Sequence, residues 1–198
     1  GMLLALGIVS ALLETKSSEK GQVIDAAMTD GSSLLMTMMY SMHHSGFWNL
    51  ERQTNLLDGA AHFYDTYECK DGKYISIGSI EPQFYALLCE KAGLSQEDFG
   101  DQMKRETWEH KKELIKKVFV LKSRDEWCEI MEGTDVCFAP VLDMSEAPNH
   151  PHNVARKTFI ELEGVTQPAP APRFDRTENE VVLPPALAGE HSKEILES

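Results

Sequence analysis

Residues 2–13, Met2-Leu3-Leu4-Ala5-Leu6-Gly7-Ile8-Val9-Ser10-Ala11-Leu12-Leu13, run without a charged side chain. A helix on the surface of a small domain gathers its apolar residues into one stripe, and this stretch has no polar face to set against one. At about 1.5 Å per residue it reaches roughly 18 Å, short of the ~30 Å hydrocarbon core of a bilayer. No basic region precedes it, and the polar segment Glu14 to Lys20 stands where a secretory signal would place small residues. The run therefore predicts a helix buried on nearly all sides, which requires protein around it. A chain that opens on such a helix reads as the continuation of something longer.

The rest of the composition narrows the class. A formal charge of −13 argues against a phosphate-backbone binder and against docking on an anionic membrane, both of which need clustered Lys and Arg. Neither nucleic acid nor membrane insertion is expected. The acidity reads as a solvated surface. Cys69, Cys89, Cys128 and Cys137 contain no C-x-x-C pair, so they read as reduced core residues and favour an intracellular, reducing compartment.

Local patterns then set the elements. Gln22-Val23-Ile24-Asp25 reads as a short strand, and residues 26–45 as one helix with Met28, Leu34, Leu35, Met38, Met39 and Met42 on or near one broad face, ended by Gly46. Residues 47–62 have no period and read as a long crossing loop, a feature that is usually functional or joins domains. Residues 63–69 and 73–78 flank Asp71-Gly72, the strongest hairpin pattern in the chain. Glu81-Pro82 opens a helix to about residue 92, with Pro82 suited to the first turn. Two further helices, near 108–119 and 123–131, follow, the second capped by Ser123 and Glu126. Residues 136–142 read as a strand, 145–154 as a short helix with turns, and the chain beyond Gly164 as a Pro-rich segment with little core. The sum is an α+β chain with a compact central unit near 65–163.

Residue chemistry alone names no reaction. Nucleotide-binding, metalloprotease and serine-hydrolase motifs are absent from the sequence. His43 and His44 are adjacent and point about 100° apart on a helix, so a capping or solvated role is simpler than a shared metal. His150 and His152 share a turn, but no Cys or Asp at ligand spacing supports them, and no metal site is expected. The methionines of the second helix either fill a core or offer a pliable apolar surface to chains of varied shape. Glu81 either answers the positive end of its helix or is a carboxylate held at a strand end and aimed into a cleft.

Several stretches in order resemble the α-methylacyl-CoA racemase family of the family III CoA-transferase superfamily. They are residues 21–28 (GQVIDAAM), 55–59 (NLLDG), 63–67 (FYDTY), 78–85 (GSIEPQFY), 133–137 (GTDVC) and 170–174 (PAPRF). The 78–85 stretch marks the racemase branch, whereas 21–28 is shared across the superfamily and supports the fold more than the reaction. The resemblance implies a small α/β domain at 65–163. It is flanked by a helical segment and linker at 1–64 and a Pro-rich return at 164–198, both belonging to a large Rossmann-like domain.

It also implies inversion of the α-methyl stereocentre of 2-methylacyl-CoA thioesters by removal and return of one proton. No cofactor is needed, since CoA is part of the substrate. The family's two proton carriers, a histidine and an aspartate, would precede Gly1, so the chain alone is expected to be inactive. Glu81 matches the glutamate that tunes the family's catalytic histidine, in an intertwined homodimer where the partner subunit supplies that histidine. Met28 and Met38 fall on the expected acyl surface. Where the family commonly has L-D-G-G-A-P, this chain has Ala60 and His62. His62 is a candidate base, though a tolerated loop change is the simpler reading.

The chain ends Leu196-Glu197-Ser198, without a peroxisomal tripeptide; a peroxisome or mitochondrion is expected in a eukaryote and the cytoplasm in a bacterium. Two other readings stay open: a CoA-transferase of the same fold, which would form acyl-enzyme anhydrides on an aspartate, and a non-catalytic acyl-CoA-binding or dimerisation module.

Overall fold

The computed structural model describes every residue except 182 and 185. The chain begins with α1 (Met2–Ser18), α2 (Met28–Leu35) and α3 (Thr37–His44), then crosses residues 45–63 without a regular element. Strands β1 (Tyr64–Glu68) and β2 (Tyr74–Gly78) follow, then helices α4 (Pro82–Ala92), α5 (Gln96–Phe99), α6 (Trp108–Phe119) and α7 (Arg124–Met131). Strand β3 (Phe138–Val141), helix α8 (Pro151–Arg156), strands β4 (Phe159–Leu162) and β5 (Val165–Pro168), and helix α9 (Ser192–Glu197) complete it.

β1, β2 and β3 form one antiparallel sheet in that order, with Tyr67 opposite Ile75 and Ile75 opposite Pro140. Alternation does the sorting: Tyr67, Ile75 and Ile77 turn to the buried face, where α4, α6 and α7 pack. Among the described residues, every buried apolar side chain lies between Ala61 and Val136. Aromatic rings run through this core edge to face, from His62 to Phe63 to Trp108 and from Phe119 to Trp127.

The local signals of the central unit correspond to the elements found. Ser123 and Glu126 close a reciprocal capping box on α7, and Pro82 occupies the first turn of α4. Three expectations differ. Residues 22–25 form no strand: Val23 is exposed, and among the described residues no neighbouring strand offers its backbone a ladder. The expected helix at 26–45 is two helices, because Met36 leaves the helical region (ψ 3°). At the break Thr37 Oγ1 donates to Leu34 O at 2.6 Å, a side-chain bond that competes with the helical ladder.

Next, α1 is helical but unburied. Leu6, Val9, Leu12 and Leu13 are all more than 60% exposed, although α1 does approach the segment after it at Ile24 beside Gly7 and at Gly31 beside Leu3. A hairpin joins β4 and β5 across Glu163-Gly164, while the Pro-rich stretch beyond Gly164 contributes no buried apolar side chain among the described residues, as expected. The cysteines also divide: Cys69 and Cys89 are core residues, whereas Cys137 is exposed.

Candidate functional site

Glu81 is held by its backbone on both sides. Its φ and ψ (−70°, 142°) are those of an N-cap residue, and its carbonyl accepts the first helical bond from Tyr85 N at 3.0 Å. Its side chain does not cap the helix and is exposed, so α4 itself makes no use of the carboxylate. Upstream, Gly78 N donates to Cys137 O (2.9 Å) and Ser79 N to Phe63 O (3.0 Å), while the buried Ser79 hydroxyl donates to Val136 O. Gln102 reaches in from beyond α5 and donates to the carbonyls of both Ser79 and Ile80, each at 2.9 Å.

Next to this turn lies a cleft of about 350 Å³ on the outer face of the sheet. Its floor is Tyr64, Ser76, Gly78 and Ala139, and its wall is the loop carrying Leu57 and Gly59. Asn55 braces that loop, accepting from Asn49 N (2.7 Å) and donating to Asp58 Oδ2 (2.7 Å). Lys112 of α6 ties the loop to the sheet, since its ammonium contacts both the Gly59 carbonyl and the Asp65 carboxylate. Gly59 has φ +90°, a conformation that an L side chain rarely adopts, and a Cβ there would stand 3.4 Å from Asp65 Oδ1.

Cys137 also lines the cleft, at φ 58°. Burial, with the negative charges of Glu81 and Asp135, pushes its thiol up, away from the nucleophilic thiolate.

The other candidates lie apart. Met28 (89% exposed) is on α2 and Met38 (54% exposed) on α3, and neither lines the small apolar groove formed by Met36, Met39, Tyr40, His43, Trp48 and Leu50. His43 Nδ1 is 2.9 Å from Trp48 O, a capping contact, and His150 Nε2 is 3.2 Å from Glu132. His62 is fully buried and bonded to Tyr85, so it presents no base to the cleft. Gln102, Lys112 and Asp65 carried no sequence signal, because their partners are backbone groups or side chains distant along the chain.

Residues 1–192 match the CoA-transferase family III model. The chain belongs to CoA-transferase family III. It is 42% identical over 201 residues to the alpha-methylacyl-CoA racemase of Mus musculus, covering 99% of this chain and 52% of the racemase. Identity to the Homo sapiens racemase is 40% over 206 residues, with coverage of 100% and 52%. The chain thus spans about half the length of the curated relatives it matches.

Identity to Homo sapiens succinyl-CoA:glutarate CoA-transferase is 26% over 96% of the chain. A CaiB/BaiF family protein of Brucella suis superposes with a TM-score of 0.74 at 20% identity, covering all of this chain and 53% of its own. Rv3272 of Mycobacterium tuberculosis superposes at 0.73, also at 20% identity, over 98% of this chain and 51% of its own. These structures share the mixed α/β family III fold.

Proposed function

We propose that the protein to which this chain belongs racemises the α-methyl stereocentre of 2-methylacyl-CoA thioesters. The observation that carries the assignment is the gap in identity: 40–42% to two racemases over essentially the whole chain, against 26% to a CoA-transferase with nearly the same coverage.

The chemistry needs two proton carriers on opposite faces of the α-carbon and a stabilised enolate oxygen. The thioester itself acidifies the α-proton, so no metal or redox cofactor takes part. We assign the proton carriers to the half of the relatives' length that this chain does not span. This chain supplies Glu81, whose exposed carboxylate hydrogen-bonds the imidazole carrier of a partner subunit in an intertwined homodimer. A carboxylate there orients the ring and favours its protonated form. The cleft beside Glu81 borders the thioester end of the substrate, and the methionine-bearing helices α2 and α3, including Met28 and Met38, offer an adaptable surface to the acyl chain. The free thiols suit a reducing intracellular compartment.

The test is α-proton exchange by the full-length protein in D₂O with each epimer of a 2-methylacyl-CoA. Deuterium should enter at the α-carbon and both epimers should reach one mixture. Glu81→Gln should slow exchange at least about tenfold, the equivalent of roughly 1.4 kcal/mol of barrier. Transfer of CoA to a carboxylate acceptor without α-exchange would assign the protein to the transferases instead.

A further inference from the structure

Besides its backbone bonds and the Ser79 hydroxyl, the turn that delivers Glu81 is held by one side chain distant in sequence. Gln102 is 9% exposed and lies 21 or more residues from the turn in sequence, yet its amide nitrogen sits 2.9 Å from the Ser79 carbonyl and 2.9 Å from the Ile80 carbonyl. Two acceptors on one amide group fix its orientation, because only the NH₂ end carries two hydrogens. Gln102 is itself tethered: its main-chain carbonyl accepts from Trp108 Nε1 at 2.8 Å, and Trp108 is a core residue. The path from the core to the carboxylate is therefore short, from Trp108 to Gln102 to the Ser79–Ile80 carbonyls to Glu81.

We propose that Gln102 is a positioning residue for Glu81, fixing where the carboxylate stands through the two carbonyls that precede it. This rests on the racemase reading and on the role given there to Glu81. Neither carbonyl needs a glutamine merely to be satisfied, since a single donor or a water serves one carbonyl. One planar amide binding two successive carbonyls sets the direction in which the chain leaves the strand. A carboxylate that must meet an imidazole within hydrogen-bond distance is sensitive to displacements on the order of 1 Å.

The experiment uses the full-length protein and four variants: Gln102→Met, which keeps the length but removes the donors; Gln102→Asn, which is shorter and keeps an amide; Glu81→Gln; and Glu81→Gln with Gln102→Met. For each, kcat and KM of α-proton exchange are measured from pH 5 to 9, alongside the thermal midpoint. Gln102→Met should lower kcat about tenfold with KM within about twofold, and should shift the pH profile in the same direction as Glu81→Gln. The double variant should be no slower than Glu81→Gln alone, as expected when one residue acts through the other. Gln102→Asn should give a smaller loss with the same shift, and it carries the comparison if the Met variant does not fold.

Multiplicative losses, or a lower thermal midpoint with an unmoved pH profile, would overturn the role of Gln102 while leaving the racemase reading intact. If Glu81→Gln itself changes neither kcat nor profile in an active racemase, Glu81 leaves the mechanism and the role of Gln102 goes with it. A wild-type protein without α-exchange overturns the reaction as well.

Discussion

His62 and Tyr85 share a hydrogen bond of 2.8 Å inside the core, and its geometry fixes the protons on both rings. The Tyr85 hydroxyl has one hydrogen, and the Phe99 carbonyl 2.9 Å away takes it. The Tyr85 oxygen is therefore the acceptor, and His62 donates from Nε2. That leaves the Nδ1 lone pair buried without a partner among the described residues. Protonation at Nδ1 would place a charge in the core, and burial, with the nearby Lys111 ammonium, pulls the imidazole pKa from 6.5 down to about 3.

Stability should consequently fall as the solution is acidified below pH 6.5, where the unfolded histidine takes up a proton and the folded one does not. Because the folded value is depressed, the contribution is complete above pH 6.5 and is lost on the way down to about 3. The slope approaches roughly 1.4 kcal/mol per pH unit, or about 2 kcal/mol between pH 6.5 and 5. His62→Phe should flatten this span, at a cost of about 1 kcal/mol at pH 7 for the lost hydrogen bond. Urea midpoints of wild type and variant at pH 7 and pH 5 check it; parallel decline in both proteins would exclude His62 as the source.

Lys112 leads to a second expectation. Its ammonium joins the Gly59 carbonyl to the Asp65 carboxylate and so pins the wall of the cleft to strand β1. Lys112→Met leaves a part-buried carbonyl without its donor, at a cost of about 1–3 kcal/mol. Amides of residues 55–60 should then exchange with solvent faster, while those of β2 should not change. Lys112→Arg should restore much of the protection. Gly59→Ala should lose about 1–3 kcal/mol by a separate route, the backbone strain at φ +90°. Unaltered exchange at 55–60 in the Met variant would mean that the loop holds itself through Asn55 and Asp58.

These contacts mark where sequence legibility ended. The hairpin at Asp71-Gly72, the Pro82 start of α4 and the Ser123/Glu126 cap of α7 were readable because each signal lies within a few residues of what it specifies. So was the position of Glu81 at a strand end and helix start. A strand at 22–25 depends on a partner that its own residues cannot reveal, and none stands beside it among the described residues. The apolar character of α1 was plain, but what covers it is not written in α1. Gln102 and Lys112 act across 23 and 53 residues, chiefly on main-chain carbonyls that every residue possesses. No residue type at the receiving end could announce those bonds.

The last expectation concerns acid at the opposite end of the sheet. Arg124, 6% exposed at the start of α7, grips Glu146 with two parallel bonds of 2.7 and 2.8 Å and also donates to the Val141 carbonyl at the end of β3. Lys73, at the β1–β2 turn, donates to the same carboxylate at 2.6 Å. The bonds from Arg124 and then Lys73 hold the Glu146 carboxyl far below its ordinary range. Its contribution is thus complete above about pH 4.5, the unfolded value, and is lost as pH falls from there toward the folded one. Glu146→Gln keeps the shape and removes the charge, so the stability gap to wild type should be widest at neutral pH and narrower at pH 3. This window lies below the one where His62 acts first, so the two effects separate along a single pH series of urea midpoints. An equal gap at pH 7 and pH 3 would mean that the fork between Arg124 and Glu146 contributes packing and hydrogen bonds but no net charge interaction.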